Sequence, residues 1–169
     1  VVAAKVFKLV AGTPAEISQG LYPHMVLGVI AAIITAIVIG MAGGALNAFA
    51  TSKLKLIPFI ATLSTMYILQ GIAMVICNGA QEKLLPRAFQ TYFGHAKLFG
   101  VVPYQVIVAI VIGICLHLIM KYTRFGLHVR AMGSNCESAR RAGIKIVSNS
   151  FRIYLMMGAL AGVAGIFDI

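Results

Sequence analysis

The side chains with the strongest chemical character lie close together in one stretch, residues 130–144. Ser134 and Glu137 stand three residues apart in it. This is the spacing of a capping box, in which the serine hydroxyl accepts from the Glu137 amide and the carboxylate reaches back to the Ser134 N–H. The spacing predicts a short helix over about residues 135–142.

Two cations and a glycine follow at the end of this predicted helix. Arg140 and Arg141 lie in its last turn, where the helix dipole favours positive charge. Gly143 suits the left-handed conformation that ends a helix. A helix of this size is about 12 Å long and cannot cross a membrane. It is either a basic segment lying on anionic lipid or a defined helix that binds a protein partner, and the capping signals favour the partner.

The rest of the chain offers no catalytic, cofactor or metal site. The phosphate-binding pattern G-x-x-x-x-G-K-[ST] does not occur in it. Cys77, Cys115 and Cys136 are too widely spaced for a metal site or a disulfide framework. His95 and His117 have no acidic neighbours in the sequence, which argues against a membrane-embedded enzyme.

Composition places this stretch in a membrane protein. The 169 residues are 60% hydrophobic and 11% charged, whereas soluble domains carry about 25% charged residues. The long apolar runs lack strict alternation, so we predict an all-α, polytopic transmembrane helical bundle. The net charge of +10 is explained by membrane orientation, and we expect no nucleic-acid partner.

The apolar runs predict four spans in a single membrane domain covering residues 1–169. The spans are about 25–49, 59–77, 101–120 and 153–169, with a loop at 121–152. The chain opens on Val1 and closes within an unfinished apolar run, so we expect a piece of a longer protein. Residues 1–24 fit either the tail of a membrane helix or a surface segment.

Two pairs of glycines have the spacing that lets membrane helices approach closely. Gly40 and Gly44 lie in the first span, and Gly158 and Gly162 lie in the fourth. Each pair forms a G-x-x-x-G pattern, which predicts helix packing.

The basic residues predict the orientation. Seven lie in the loop 121–152 and two in the turn 51–58, against five on the opposite side. Because basic loops face the cytoplasm, nine against five places the loop 121–152 there.

The second span is unusual for its polar side chains. Thr62, Thr65 and Gln70 fall within an arc of about 140° on a helix. They either line a translocation path or are ordinary packing residues whose hydroxyls bond to carbonyls one turn earlier.

Three segments resemble the ribose-type sugar permeases, the membrane subunits of bacterial ABC importers. The family pattern is approximately T-x-F-G-x-x-x-x-A-x-G-x-N-x-E-A-A-R-x-x-G-I. It is matched by Thr123, Phe125, Gly126, Ala131, Gly133, Asn135, Glu137, Ala139, Arg140, Gly143 and Ile144. Residues 46–48 and 53–63 resemble the family's N-(A/G)…K-L-x-I-x-P-F-I-A-T-L segment, and residues 158–166 its next small-residue helix. Ser138 departs from the usual alanine. The family's N-terminal helices and C-terminal glycine-rich segments have no counterpart here.

The resemblance implies a multi-pass permease subunit of the bacterial inner membrane that moves a sugar or related small polar solute. The short helix would be a cytoplasmic coupling helix for partner ATPase subunits, which bind the ATP. The implied coupling residues are Gly133, Ser134, Asn135, Glu137, Ala139, Arg140, Arg141 and Gly143. Further partners would be a second permease subunit, identical or different, a periplasmic or extracellular solute-binding protein and the lipid bilayer.

One other class of transporter stays open at this point. An ion-coupled secondary transporter needs acidic residues inside its spans. Asp168, in the unfinished fourth run, is the one candidate.

Overall fold

The computed structural model describes residues 2–11, 25–77, 97–98 and 102–167. Within these residues the chain is helical apart from short turns and one pair of two-residue strands. The helices are α1 (Val2–Ala11), α2 (Met25–Ser52), α3 (Pro58–Ile76), α4 (Tyr104–Tyr122), α5 (Arg124–Ser134), α6 (Cys136–Arg141) and α7 (Ile146–Phe167). The strands β1 (Lys97–Leu98) and β2 (Val102–Pro103) pair antiparallel ahead of α4.

The helices α2, α3, α4 and α7 are each long and apolar enough to cross a membrane. The prediction of an all-α, multi-pass bundle is therefore confirmed. The first three spans begin and end within three residues of their predicted bounds. The fourth helix begins at Ile146 instead of residue 153, because backbone hydrogen bonding continues a helix past its apolar part. Asn149 N–H, for example, donates to the Lys145 carbonyl over 3.1 Å.

Helices α2 and α7 pack antiparallel through the two predicted glycine pairs. At Gly40 the neighbouring space is filled by the backbone of Gly158 and Gly162, and at Gly44 by the backbone of Tyr154. A side chain at either α2 glycine would therefore collide with α7. The packing role predicted for both G-x-x-x-G pairs is confirmed, and these helices form the most extensive contact among the described elements.

Helix α1 lies against α2 and is tied to α3. Phe7 is fully buried, and the Lys5 ammonium donates to the carbonyl of Ile76, the last residue of α3, over 2.6 Å. A cation at this position offsets the partial negative charge of a helix C-terminus. The ten described residues of α1 span about 15 Å. Residues 12–24 lie outside the described part.

The basic segments gather at one end of the bundle. Because α2 and α7 are antiparallel, the end of α2 at Ser52 and the start of α7 at Ile146 lie at the same end. Helices α5 and α6 contact this part of the bundle through α7. We call this end, which carries residues 53–57 and 121–152, the basic end.

Candidate functional site

The basic end contains a helix that the sequence did not predict. Residues 124–134, predicted as loop, form α5, because Thr123 and Gly126 fix the turn out of α4. The Thr123 hydroxyl donates to the Ile119 carbonyl over 2.6 Å and accepts from the Gly126 N–H over 3.2 Å. Gly126 is buried against the backbone of Met120, where a Cβ atom would collide. The Thr-x-Phe-Gly pattern thus builds a tight corner between two helices.

Helix α6 begins with a different cap from the one predicted. The Asn135 Oδ1 atom accepts from the N–H groups of Glu137 and Ser138, each over 3.0 Å. Ser134 instead ends α5, and its hydroxyl donates to the Ala131 carbonyl over 3.1 Å. The predicted capping box is wrong, because a cap residue needs non-helical dihedral angles. Asn135 has them, at φ −155° and ψ 106°, whereas Ser134 continues α5.

The predicted end of α6 is confirmed. Gly143 adopts a φ of +82°, its N–H donates to the Arg140 carbonyl over 3.0 Å, and the Ile144 N–H donates to the Ala139 carbonyl over 3.1 Å. This pair of bonds is a Schellman motif, which satisfies carbonyls that a helix end leaves free. Helix α6 is one residue shorter at each end than predicted.

The side chains of α6 divide between a buried face and an exposed face. Ala139 is 4% exposed and faces the bundle. Glu137 and Arg141 form an exposed ion pair, with Arg141 Nε 3.5 Å from Glu137 Oε1. Glu137 is the one acidic residue among the described residues, so Arg140 has no carboxylate partner within that part of the chain. Gly133, in the last turn of α5, is exposed with open space around it.

The predicted polar path residues are only partly brought together. Thr62 and Thr65 line a cavity of about 550 Å³ formed by α1, α2, α3 and α7, whereas Gln70 is exposed and does not line it. The Thr62 hydroxyl donates to the Pro58 carbonyl over 2.9 Å. Thr62 therefore faces a cavity, and it also bonds to its own helix as the packing alternative predicts.

Asn47 lines the same cavity and was not predicted as a site residue. Its Oδ1 atom is buried, and it has no hydrogen-bond donor among the described residues. It is the one carboxamide in α2. A carboxamide within an otherwise apolar span was the sequence signal that could have identified it.

A metal site is not found in the described part of the chain. No group of three or more His, Cys, Asp or Glu side chains could hold an ion there. Cys77, Cys115 and Cys136 are free thiols. Asp168 and His95 lie outside the described residues.

Comparison with known families gives one match over nearly the whole chain. The model of the family described as "Branched-chain amino acid transport system / permease component" matches residues 3–168. No solved structure matches the chain significantly.

Curated relatives narrow the comparison to sugar permeases, as the resemblance predicted. The fructose import permease protein of Bifidobacterium longum is 33% identical over 138 residues, which are 80% of this chain and 38% of that protein. The L-arabinose transport system permease protein of Escherichia coli is 33% identical over 120 residues, 71% of this chain and 36% of the relative. The ribose import permease protein of the same species is 29% identical over 144 residues, 82% of this chain and 44% of the relative. The chain spans about two fifths of the length of these relatives.

Proposed function

We infer the function from one premise: the chain belongs to the branched-chain amino acid transport system / permease component family. We propose that it is part of the membrane-spanning permease subunit of an ATP-binding-cassette importer in the bacterial inner membrane. The proposed cargo is a sugar or a related small polar solute, because the relatives named above are fructose, arabinose and ribose permeases. The cargo passes between the spans while partner subunits hydrolyse ATP.

The observation that carries this proposal is the form of α6. It is a six-residue helix with a side-chain cap at its start and a Schellman motif at its end. Both ends of α6 are therefore stabilised by hydrogen bonds within this chain, although so short a helix is unstable in isolation. A capped helix that projects charged side chains from the basic end is suited to bind a protein and to transmit its movement.

Packing contacts connect α6 to the membrane-spanning helices. Ala139 is buried at the basic end, and α6 contacts the beginning of α7. Helix α7 is in turn packed against α2 through backbone contacts at Gly40 and Gly44. A displacement of α6 would therefore move α7 and α2 together, and those two helices line the cavity.

The proposed partners follow from this arrangement. Two ATPase subunits bind α6 and its copy in a second permease subunit, identical or different. Arg140 is available to pair with an acidic group of the ATPase, because it has no carboxylate partner in the described residues. A solute-binding protein delivers the cargo from the opposite side of the membrane. The described helices α2, α3, α4 and α7 contain no acidic residue, and Asp168, the candidate for an ion-coupled mechanism, lies outside them.

The test is a charge reversal on α6 in the full-length permease. We expect Arg140→Glu to lower solute uptake at least about tenfold in proteoliposomes containing the ATPase and the binding protein. Membrane insertion and pairing of the two permease subunits should be retained. Lys121→Glu is the matched control, because Lys121 is an exposed cation at the same end but outside α6. Uptake and ATPase stimulation by Arg140→Glu at the level of the wild type would contradict the proposal.

A further inference from the structure

We propose that one exposed face of α5 binds the phosphate groups of anionic phospholipids in the membrane leaflet at the basic end. This face consists of Arg124, Leu127 and Arg130, and we call it the lipid face. Its two guanidinium groups contact phosphate oxygens, and the Leu127 side chain between them enters the boundary of the acyl chains. The role depends neither on the transported solute nor on an ATPase partner.

The beginning of α5 lies at the membrane boundary. Helix α4 is long and apolar enough to cross a membrane up to Tyr122, and Thr123 alone separates it from α5. Gly126 packs against the backbone of Met120, so the first turn of α5 lies beside the last turn of α4. Tyr122 is 71% exposed, and tyrosine is enriched where lipid meets water. The first turn of α5 is therefore placed at the depth of the lipid headgroups.

The spacing along α5 brings the side chains of the lipid face together. Arg124, Leu127 and Arg130 follow one another at intervals of three residues, so they fall within an arc of about 120°. All three are exposed, Leu127 by 60%. The other side of α5 is directed at the protein, since Gly126 is buried and Val129 is half-buried. An apolar side chain between two cations matches the boundary between acyl chains and headgroups.

The two arginines of the lipid face have no anionic partner in the described part of the chain. Glu137 is the one acidic residue there, and it pairs with Arg141. The Nε atom of Arg130 donates to the Gly126 carbonyl over 3.4 Å, which uses one of the five N–H donors of a guanidinium group. The remaining donors suit a phosphate, which an arginine binds through two parallel hydrogen bonds. Anionic phospholipid supplies the charge that the protein lacks here.

The experiment measures phosphatidylglycerol binding to the purified full-length permease in a neutral detergent, by titration in native mass spectrometry. We expect the wild type to bind phosphatidylglycerol in preference to phosphatidylcholine. Arg124→Gln and Arg130→Gln should each weaken phosphatidylglycerol binding about fivefold, and the double variant about twenty-five-fold. Both positions are exposed and glutamine is a good helix former, so α5 should be retained.

Two further variants test the chemistry of the lipid face. The double variant Arg124→Lys/Arg130→Lys keeps both charges and should bind phosphatidylglycerol within about threefold of the wild type. Leu127→Ser keeps the arginines but removes the contact with acyl chains, so the same binding should weaken about threefold. Full displacement of the lipid by inorganic phosphate would identify a simple anion site and would overturn the proposal.

The matched control is Arg140→Gln. Arg140 is an exposed arginine at the same end, but it lies on α6 with Glu137, whose carboxylate repels a phosphate. Phosphatidylglycerol binding should stay within about twofold of the wild type. Equal weakening by Arg140→Gln would show attraction to the net charge alone and would overturn the proposal. Unchanged lipid binding in Arg124→Gln/Arg130→Gln would also overturn it, and loss of the ATPase from that variant would then identify a protein-binding surface.

Discussion

Gly40 of α2 and Gly158 of α7 lie directly against each other. A Cβ atom on either residue would collide with the carbonyl oxygen of the other. The two backbones are therefore in direct contact. In a membrane, where lipid tails are as apolar as the helices, such close packing is a main source of helix association. The contact also joins α7, which follows α6 in the chain, to α2, which lines the cavity.

We expect Gly158→Ala to weaken this contact. The added methyl group meets backbone atoms, which cannot rotate away, so the free energy of unfolding should fall by about 1–3 kcal/mol. The measurement is unfolding of the purified full-length permease in detergent. Gly71→Ala is the matched control, because the space around Gly71 is open, and it should stabilise α3 by up to about 1 kcal/mol. Equal stability of Gly158→Ala and the wild type would contradict the observed packing.

We expect Asn135→Ala and Ser134→Ala to have different effects. Loss of the Asn135 side chain frees two amide groups of α6 and should cost about 1 kcal/mol. Hydrogen exchange at the Glu137 and Ser138 amides should then be about fivefold faster. Ser134→Ala removes only an exposed bond within α5 and should leave that exchange unchanged. The opposite ranking would restore the capping box that the sequence suggested.

We expect Gly143→Ala to destabilise the end of α6. Its φ of +82° is unfavourable for alanine, with a cost of about 1–2 kcal/mol. Gly133→Ala is the control, since Gly133 is helical and exposed, and it should be neutral or stabilising. Hydrogen exchange at the Ile144 amide, which closes the Schellman motif, reports the difference. Slower or unchanged exchange in Gly143→Ala would contradict the described helix end.

Each feature that the sequence predicted correctly depends on a strong local signal. The four spans follow from unbroken apolar runs. The glycine pairs follow from a fixed spacing, and the end of α6 follows from Gly143, which few other residues could replace. In each case one residue type or one run decides the structure without reference to the rest of the fold.

The features that were missed depend on contacts between elements. Ser134 and Asn135 are both good caps, and only the continuation of α5 through Ser134 decides between them. Helix α5 itself depends on Gly126 fitting against Met120. The sequence predicted only that Thr62, Thr65 and Gln70 share one face of α3. Which of them line the cavity with Asn47 of α2 depends on how the helices pack, and Gln70 does not line it.

Asn135 is both the C-cap of α5 and the N-cap of α6, so a single residue connects the two helices. The angle between them is therefore set by the φ and ψ of a single residue, and those are held by its side chain. A connection of this kind works as a stiff elbow, whereas a loop of several residues would absorb a push by bending. A force applied to the exposed side of α6 would thus reach the rest of the basic end as a rotation of the whole corner.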